Sequence, residues 1–194
     1  MIRAVVFDCF GVLVNDGWLP FKRKYFGEKP ELFEEATSIN RQVDAGLIGY
    51  DDFIQGVAGL AGLPKEQAYK EIEDNPVDAE LVDYIAAQLK PHYKIGLLSN
   101  AGGNWLDHLF TPEQLKVFDA TALSFELGFI KPDPRAYQTI ADRLGVSPEE
   151  CVFIDDQERY CTGASDVGMR AIWYRSFEQA KSDLEKMLAQ ELAK

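Results

Sequence analysis

Acidic, hydroxyl and basic side chains in this sequence stand where short apolar runs end. An aspartate follows residues 2–7, a Ser-Asn pair follows 95–98, an Asp-Asp pair follows 151–154, and a lysine lies in the turn 128–132. Crowded carboxylates need a cation, and ligation by oxygen alone favours Mg²⁺. A cation, a lysine and a hydroxyl together form a cradle that stabilises the charge on a phosphoryl group. The residues concerned are Asp8, Ser99, Asn100, Lys131, Asp155 and Asp156.

Covalent phosphoryl transfer is the chemistry that such a set could perform. A carboxylate can act as the nucleophile and form an aspartyl-phosphate. The residue types alone leave open which of the three carboxylates attacks. A single aspartate after a strand is more often a helix cap or a turn residue, so the prediction depends on the whole set.

The apolar runs that precede these residues predict the strands of one sheet. They cover residues 2–7, 95–98, 121–124, 151–154 and 171–174, and they are apolar almost throughout rather than alternating. Such runs are typical of parallel strands that are covered on both faces. The carboxyl ends of parallel strands meet at one edge of the sheet, which would bring the polar residues together.

Helix-start signals lie between the predicted strands. Capping residues precede apolar stripes at five places. Four apolar residues of the last helix are expected to face the core. Strand and helix thus alternate, which predicts an α/β fold with a doubly wound parallel sheet. The capping residues are Asp78, Thr111, Asp133, Ser147 and Ser176, and the inward residues of the last helix are Leu184, Met187, Leu188 and Leu192.

A long interval after the first strand interrupts this alternation. Residues 15–77 contain no convincing strand and are far longer than an ordinary βα connection. Residues 31–44, 51–60 and 64–73 are expected to be helical. We therefore predict a core domain of residues 1–14 and 78–194, and a helical cap domain of residues 15–77 above the carboxyl end of the first strand.

Four short motifs in this order carry a resemblance to a known family. They are Phe-Asp-Cys-Phe-Gly-Val-Leu-Val at 7–14, Leu-Ser-Asn at 98–100, Lys-Pro-Asp-Pro at 131–134 and Phe-Ile-Asp-Asp at 153–156. Together they resemble the four motifs of the haloacid dehalogenase-like (HAD) hydrolase superfamily. Residues 127–173 look like its phosphatase-type branch, and the helical insert would be a cap in the first insertion position.

The resemblance implies a Rossmann-like sheet of strand order 3-2-1-4-5 and a Mg²⁺ site at its edge. It assigns Asp8 as the nucleophile and as a metal ligand. The backbone carbonyl of Phe10 would be a second ligand, and Asp155 and Asp156 would complete the site.

The same resemblance assigns the residues that bind the phosphoryl group. Ser99 would donate a hydrogen bond to the transferring group, with Asn100 beside it as a substrate-binding residue. Lys131 would hold the charge of the nucleophile and of the phosphoryl oxygens together. The substrate implied is a small phosphorylated metabolite, hydrolysed through an aspartyl-phosphate at Asp8.

The sequence departs from the family pattern at Phe10. Family phosphatases usually carry an aspartate two residues after the nucleophile, where it protonates the leaving group and activates water. Phenylalanine cannot transfer a proton, and general acid–base catalysis contributes about 10²–10⁴-fold to the rate. Efficient hydrolysis of ordinary phosphomonoesters is therefore in question, although the ligand at this position would be a backbone oxygen.

Two other functions fit parts of the sequence. Metal-free 2-haloacid dehalogenases carry an aromatic residue at the position of Phe10, but Asp155 and Asp156 without a cation would raise the pKa of a nucleophilic carboxylate by repulsion. A non-catalytic phosphate-sensing HAD scaffold would retain the pocket without turnover. The acid pair favours the metal-dependent phosphatase over the dehalogenase, whereas the same set of residues does not by itself require turnover.

Composition limits the partners and the location. The chain has 194 residues and a formal net charge of −12, which argues against a nucleic-acid or anionic-membrane partner. It contains no apolar run of the length of a membrane span, and its short N-terminal apolar stretch leads us to expect no signal peptide. Its three cysteines form no CxxC pair, which is typical of a reduced, cytoplasmic protein. We expect a monomer or a homodimer.

Overall fold

The predicted strands form one five-stranded parallel sheet. A computed structural model describes residues 1–192, and the side chains of residues 1–190. The strand order is β3-β2-β1-β4-β5, which confirms the predicted doubly wound topology. The strands are β1 (Ala4–Phe7), β2 (Lys94–Ser99), β3 (Ala120–Leu123), β4 (Cys151–Asp155) and β5 (Arg170–Trp173).

Helices separate the strands. They are α1 (Trp18–Phe26), α2 (Pro30–Asp44), α3 (Tyr50–Ala61), α4 (Lys65–Ile72), α5 (Ala79–Tyr84), α6 (Leu106–Leu109), α7 (Pro112–Leu115), α8 (Ser124–Leu127), α9 (Pro134–Leu144), α10 (Glu158–Asp166) and α11 (Phe177–Leu192). A π-helical segment, Ile85–Leu89, extends α5, and a 3₁₀ turn, Pro148–Glu150, precedes β4. No helix within residues 1–192 is long and apolar enough to cross a membrane.

The predicted helix starts are confirmed where capping bonds are present. The Asp78 carboxylate accepts a hydrogen bond from the backbone N–H of Leu81 at 3.0 Å, and Thr111 forms a capping box with Gln114. These bonds satisfy N–H groups that a helix leaves without internal partners. The side chain of Leu192 and the last two residues of the predicted core range lie outside the described part.

Both faces of the sheet are buried, as the unbroken apolar runs predict. One face packs against α5 and α11 through residues such as Leu81, Ile85 and Leu184. The other face packs against α9 and α10, with Tyr137 and Ile140 fully buried. A sheet covered on both sides leaves its carboxyl edge as the place where polar side chains can gather.

Helices α1–α4 form a bundle with a hydrophobic cluster of its own. Phe26, Phe53 and Ile54 are buried within it. Three of these helices match the predicted segments, but α1 was not expected, because the sequence at 18–26 shows an aromatic cluster without a clear helix start. Asp16 supplies that start: its Oδ1 accepts hydrogen bonds from the backbone N–H groups of Trp18 at 2.9 Å and Leu19 at 3.3 Å.

Two antiparallel backbone segments connect this bundle to the sheet. Val14 and Val77 form a β-bridge, the Asn15 N–H donates to the Pro76 carbonyl at 3.0 Å, and the Asp78 N–H donates to the Leu13 carbonyl at 2.9 Å. These paired segments lie at the boundaries expected for the insert, residues 15 and 77. The division into two folding units stays a prediction.

Candidate active site

The register of the sheet places two of the predicted acids side by side. Phe7 of β1 pairs with Ile154 of β4, and the N–H of Asp8 donates to the carbonyl of Ile154 at 2.9 Å. Asp8 and Asp155 each follow this pair by one residue. Carboxylate oxygens of Asp8, Asp155 and Asp156 lie within 4.8 Å of one another. The sheet therefore assembles the acid cluster that the sequence predicted.

Lys131 bridges the two buried acids. Its Nζ lies 2.7 Å from Asp8 Oδ1 and 2.6 Å from Asp155 Oδ2, and its side chain is 1% exposed. The ammonium also faces the rings of Phe153 and Tyr160, at 5.2 and 4.9 Å from their centroids. Charge-assisted hydrogen bonds to both carboxylates fix the ammonium within reach of the nucleophile predicted at Asp8.

Asn100 holds the loop that carries this lysine. Its Oδ1 accepts from the backbone N–H of Lys131 at 2.7 Å, and its Nδ2 donates to the Lys131 carbonyl at 3.2 Å. The same amide donates to the Tyr160 hydroxyl at 3.2 Å. Asn100 thus positions Lys131, a role that the sequence did not suggest, and it also lies on the wall of the cavity.

Ser99 is a predicted site residue that the structure places at the end of a buried strand. It is the last residue of β2, one residue beyond the level of Asp8, and it is 1% exposed. Its hydroxyl lies 3.5 Å from the carbonyl of Asn100, and Ser99 is not among the described residues that line the cavity. Its contact with a phosphoryl group stays a prediction.

The electrostatics of the cluster depend on how acid and base are paired. Burial raises the pKa of Asp8 well above its usual range, with a further contribution from Asp155, and Lys131 opposes both. Burial would lower the pKa of Lys131, but the two carboxylates outweigh it and the pKa is raised. Burial, followed by repulsion from Asp155, raises the pKa of Asp156 to about 6. One lysine does not neutralise three acids.

The donor set fits a divalent cation. Asp156 Oδ1 is a buried side-chain oxygen that has no hydrogen-bond partner among the described residues. Gly11 leaves the space beside it, since a Cβ at Gly11 would come within 2.7 Å of Asp156 Oδ2, and its φ of +88° also favours glycine. An unpartnered buried carboxylate oxygen in a cluster of acids is the environment that Mg²⁺ stabilises.

A cavity of about 1020 Å³ lies between the helical bundle and the carboxyl edge of the sheet. Asp8, Phe10, Lys131 and Asp156 line it from the sheet side. Phe10 is partly buried and also packs against the hydrophobic core, so an aromatic ring stands where many phosphatases have an acid. The volume is that of a small-molecule site.

Further charged residues on the cavity wall escaped the sequence reasoning. They come from α1, α2 and α10 and from the segment before α1, so no common spacing connects them. Asp44 stands out, because burial raises its pKa to about 7. In the sequence, its position at the end of a predicted helix is the only feature that could have indicated a functional role. Among these charged residues are Asp16, Lys22, Asp44 and Arg159.

A doubly wound parallel sheet, an acid cluster with a lysine at its carboxyl edge, and a helical insert above that edge define a class of capped α/β hydrolases. The family model of the haloacid dehalogenase-like hydrolases matches residues 2–168. The chain therefore belongs to this family of enzymes, as its four motifs predicted.

Curated relatives include both phosphatases and dehalogenases. A phosphatase from Mycobacterium tuberculosis, MT3486, is 51% identical over 88% of this chain and 86% of its own length. (S)-2-haloacid dehalogenase 4A from Burkholderia cepacia is 32% identical over 54% of this chain and 45% of its own length. A bifunctional epoxide hydrolase from Sus scrofa is 27% identical, and this chain spans only 40% of its length.

Among solved structures, a HAD family enzyme from Bacteroides thetaiotaomicron is similar over most of its length. It was solved in complex with magnesium and inorganic phosphate. It is 25% identical and has a TM-score of 0.71, covering 91% of this chain and 96% of that one. Of the two curated relatives named for these activities, the phosphatase MT3486 thus matches a greater share of this chain than dehalogenase 4A does.

Proposed function

We propose that this hydrolase is a Mg²⁺-dependent phosphatase that acts on a small phosphorylated metabolite through an aspartyl-phosphate at Asp8. The observation that carries the proposal is the acid cluster, with its unpartnered Asp156 oxygen, beside the Lys131 ammonium. A cation would neutralise the surplus acids there, and together with the lysine it would attract a phosphoryl group. The high identity with a phosphatase and the magnesium-bound neighbour support the same reading.

Asp8, Asp155, Asp156 and the backbone carbonyl of Phe10 would hold the Mg²⁺. When bound, Mg²⁺ supplies charge neutralisation, so that an anionic phosphoryl group and an anionic nucleophile can approach each other. An Asp8 oxygen attacks phosphorus, the Asp8 O–P bond forms, and the bond to the leaving oxygen breaks. Lys131 holds charge on the nucleophile and on the phosphoryl oxygens. Water then cleaves the aspartyl-phosphate, releasing phosphate and restoring Asp8.

Metal-free dehalogenation is the second candidate, and the dehalogenase relative and the ring of Phe10 favour it. The acid pair opposes it. Without a cation, Asp156 would add negative charge beside a nucleophile whose pKa burial already raises. A protonated carboxyl group is a poor nucleophile, so the cation-bound site is the more reactive arrangement.

A direct comparison of the two reactions tests the proposal. We expect release of phosphate from phosphomonoesters with Mg²⁺, loss of that activity with a chelator, and no chloride release from 2-chloropropionate. Calorimetric titration should detect one Mg²⁺ site that Asp156→Asn weakens, because the substitution removes an unpaired anionic oxygen. Chloride release that persists with chelator would establish the dehalogenase, and metal-dependent phosphate binding without turnover would establish a sensing scaffold.

The ring at Phe10 predicts a steep dependence of rate on the leaving group. Without a proton donor two residues after Asp8, the leaving oxygen departs as an anion, so acidic leaving groups should react faster. Nitrophenyl and acyl phosphates should be hydrolysed much faster than simple alkyl phosphates. The measurement is kcat/KM across aryl phosphates whose leaving groups have graded pKa values.

A flat dependence, with chemistry rate-limiting, would mean that another acid donates the proton. Asp44 would then be the residue to replace, since it lines the cavity and its pKa is raised to about 7. In that case Asp44→Asn should steepen the dependence, whereas Asp83→Asn, an exposed change in α5, should leave it flat.

A further inference from the structure

Two cations from different parts of the fold line the same cavity. Lys22 belongs to α1 of the helical bundle, and Arg159 belongs to the first turn of α10 in the core. Lys22 is partly buried, and Arg159 is open to solvent. Neither belongs to the acid cluster around Asp8, so the proposed chemistry does not use them.

Neutral groups hold both cations in place. Lys22 Nζ donates to the Thr37 hydroxyl at 3.3 Å and lies 4.3 Å from the centroid of the Phe33 ring. The Arg159 guanidinium donates to the Tyr160 hydroxyl at 2.8 Å and to the Gln157 side-chain oxygen at 3.1 Å. Among the described residues, no carboxylate lies within ion-pair distance of either cation.

The two cations also act on each other. Burial is the main cause that lowers the pKa of Lys22, and the like charge of Arg159 is the second. Asp16 raises the pKa of Lys22 more than any other acid does, but its influence is smaller than that of Arg159. Asp16 also already accepts a hydrogen bond from the backbone of α1. In a chain with 32 acids and 20 bases, these two cations line the cavity without a close ion pair among the described residues, although Arg159 also lowers the pKa of Asp44 across it. Their side chains can therefore bind an anion from outside.

We propose that Lys22 and Arg159 form a second anion subsite, and that the substrate carries a second anionic group, a carboxylate or phosphate, besides the phosphoryl group that is transferred. This inference rests on the proposed phosphatase function. It narrows the substrate class to small phosphorylated metabolites that carry a second anionic group. An anion between Lys22 and Arg159 replaces their repulsion with two charge-assisted hydrogen bonds. Such an anion would touch both the helical bundle and the core, because Lys22 belongs to one and Arg159 to the other.

The test uses phosphonates, whose carbon–phosphorus bond is not hydrolysed, so that binding is measured without turnover. The probes are phosphonoacetate, 3-phosphonopropionate and 4-phosphonobutyrate, each compared with the alkylphosphonate of equal chain length. Calorimetry with Mg²⁺ should find one chain length at which the carboxylate improves affinity about tenfold or more. Lys22→Gln and Arg159→Gln should each remove that preference and leave the affinity for alkylphosphonates unchanged.

Two further variants separate charge from packing. Lys22→Arg retains the cation and should retain the preference within a few-fold. Lys24→Gln removes a charge from the same helix, but Lys24 pairs with Glu71 at 3.0 Å and is not part of the cavity wall. The preference should survive this control, and thermal unfolding should show that all four variants are folded.

The outcomes distinguish this inference from the function on which it rests. If the carboxylate-bearing phosphonates and the alkylphosphonates bind with equal affinity at every chain length, the subsite is overturned and the phosphatase proposal still stands. A preference that survives Lys22→Gln and Arg159→Gln would also overturn it. A carboxylate preference that depends on Lys22, in a protein that releases no phosphate from any ester, would support the subsite and contradict the phosphatase.

Discussion

Replacing Asp8 by asparagine is expected to lower phosphatase activity by about 10⁴-fold or more, because an amide of nearly the same size cannot attack phosphorus. The fold should persist, since Lys131 retains its 2.6 Å contact with Asp155. Steady-state assays with an aryl phosphate and Mg²⁺ measure the loss. In the parent protein, beryllium fluoride with Mg²⁺ should form a stable adduct on the Asp8 carboxylate.

The matched control is Asp107→Asn, an exposed aspartate in α6. It makes the same chemical change outside the cluster and should leave the rate within about twofold, as expected for a surface substitution. Activity that survives Asp8→Asn would mean that another residue, or water alone, attacks phosphorus.

Replacing Lys131 by methionine is expected to lower the free energy of unfolding by about 3–5 kcal/mol in the absence of metal. The side chain is buried, and without its ammonium Asp8 and Asp155 face each other with no compensating charge. Urea unfolding with a chelator measures the loss. Added Mg²⁺ should restore part of it, because a ligand that binds only the folded state stabilises that state.

Lys90→Met is the control for this second prediction. Lys90 forms an ion pair with Asp119 at 2.6 Å, and both side chains are about one-third exposed. Breaking a pair in that environment should cost less than about 1 kcal/mol. If both substitutions cost the same, then Lys131 does not offset the buried acids in the folded protein.

The strands and the acid cluster could be predicted from the sequence because local patterns specify both. Unbroken apolar runs identify buried strands, and Asp8 and Asp155 each stand at the end of one run. In a parallel sheet, the ends of the strands meet at one edge, so the two acids are expected to lie close together. The register confirms this, since Phe7 pairs with Ile154.

The helix α1 and the role of Asn100 could not be predicted in this way. The start of α1 depends on Asp16, which accepts backbone hydrogen bonds two and three residues ahead in a stretch without a clear apolar stripe. Asn100 binds the backbone of Lys131, which is 31 residues away in the chain. Ser and Asn after a strand are ordinary turn residues, so spacing does not reveal such a bond.

The sequence by itself determined the strands and the positions of Asp8, Lys131, Asp155 and Asp156, because apolar runs and short motifs are local properties of the chain. The strand order followed from the family that those motifs resemble. Only the tertiary structure decided which charges meet across the cavity. Lys22 lies on α1 within the helical insert and Arg159 lies on α10 of the core, so the two line one cavity only because the insert packs against the sheet. A cavity wall shared by distant segments leaves no signature in the spacing of residues, since it forms only when the segments pack together.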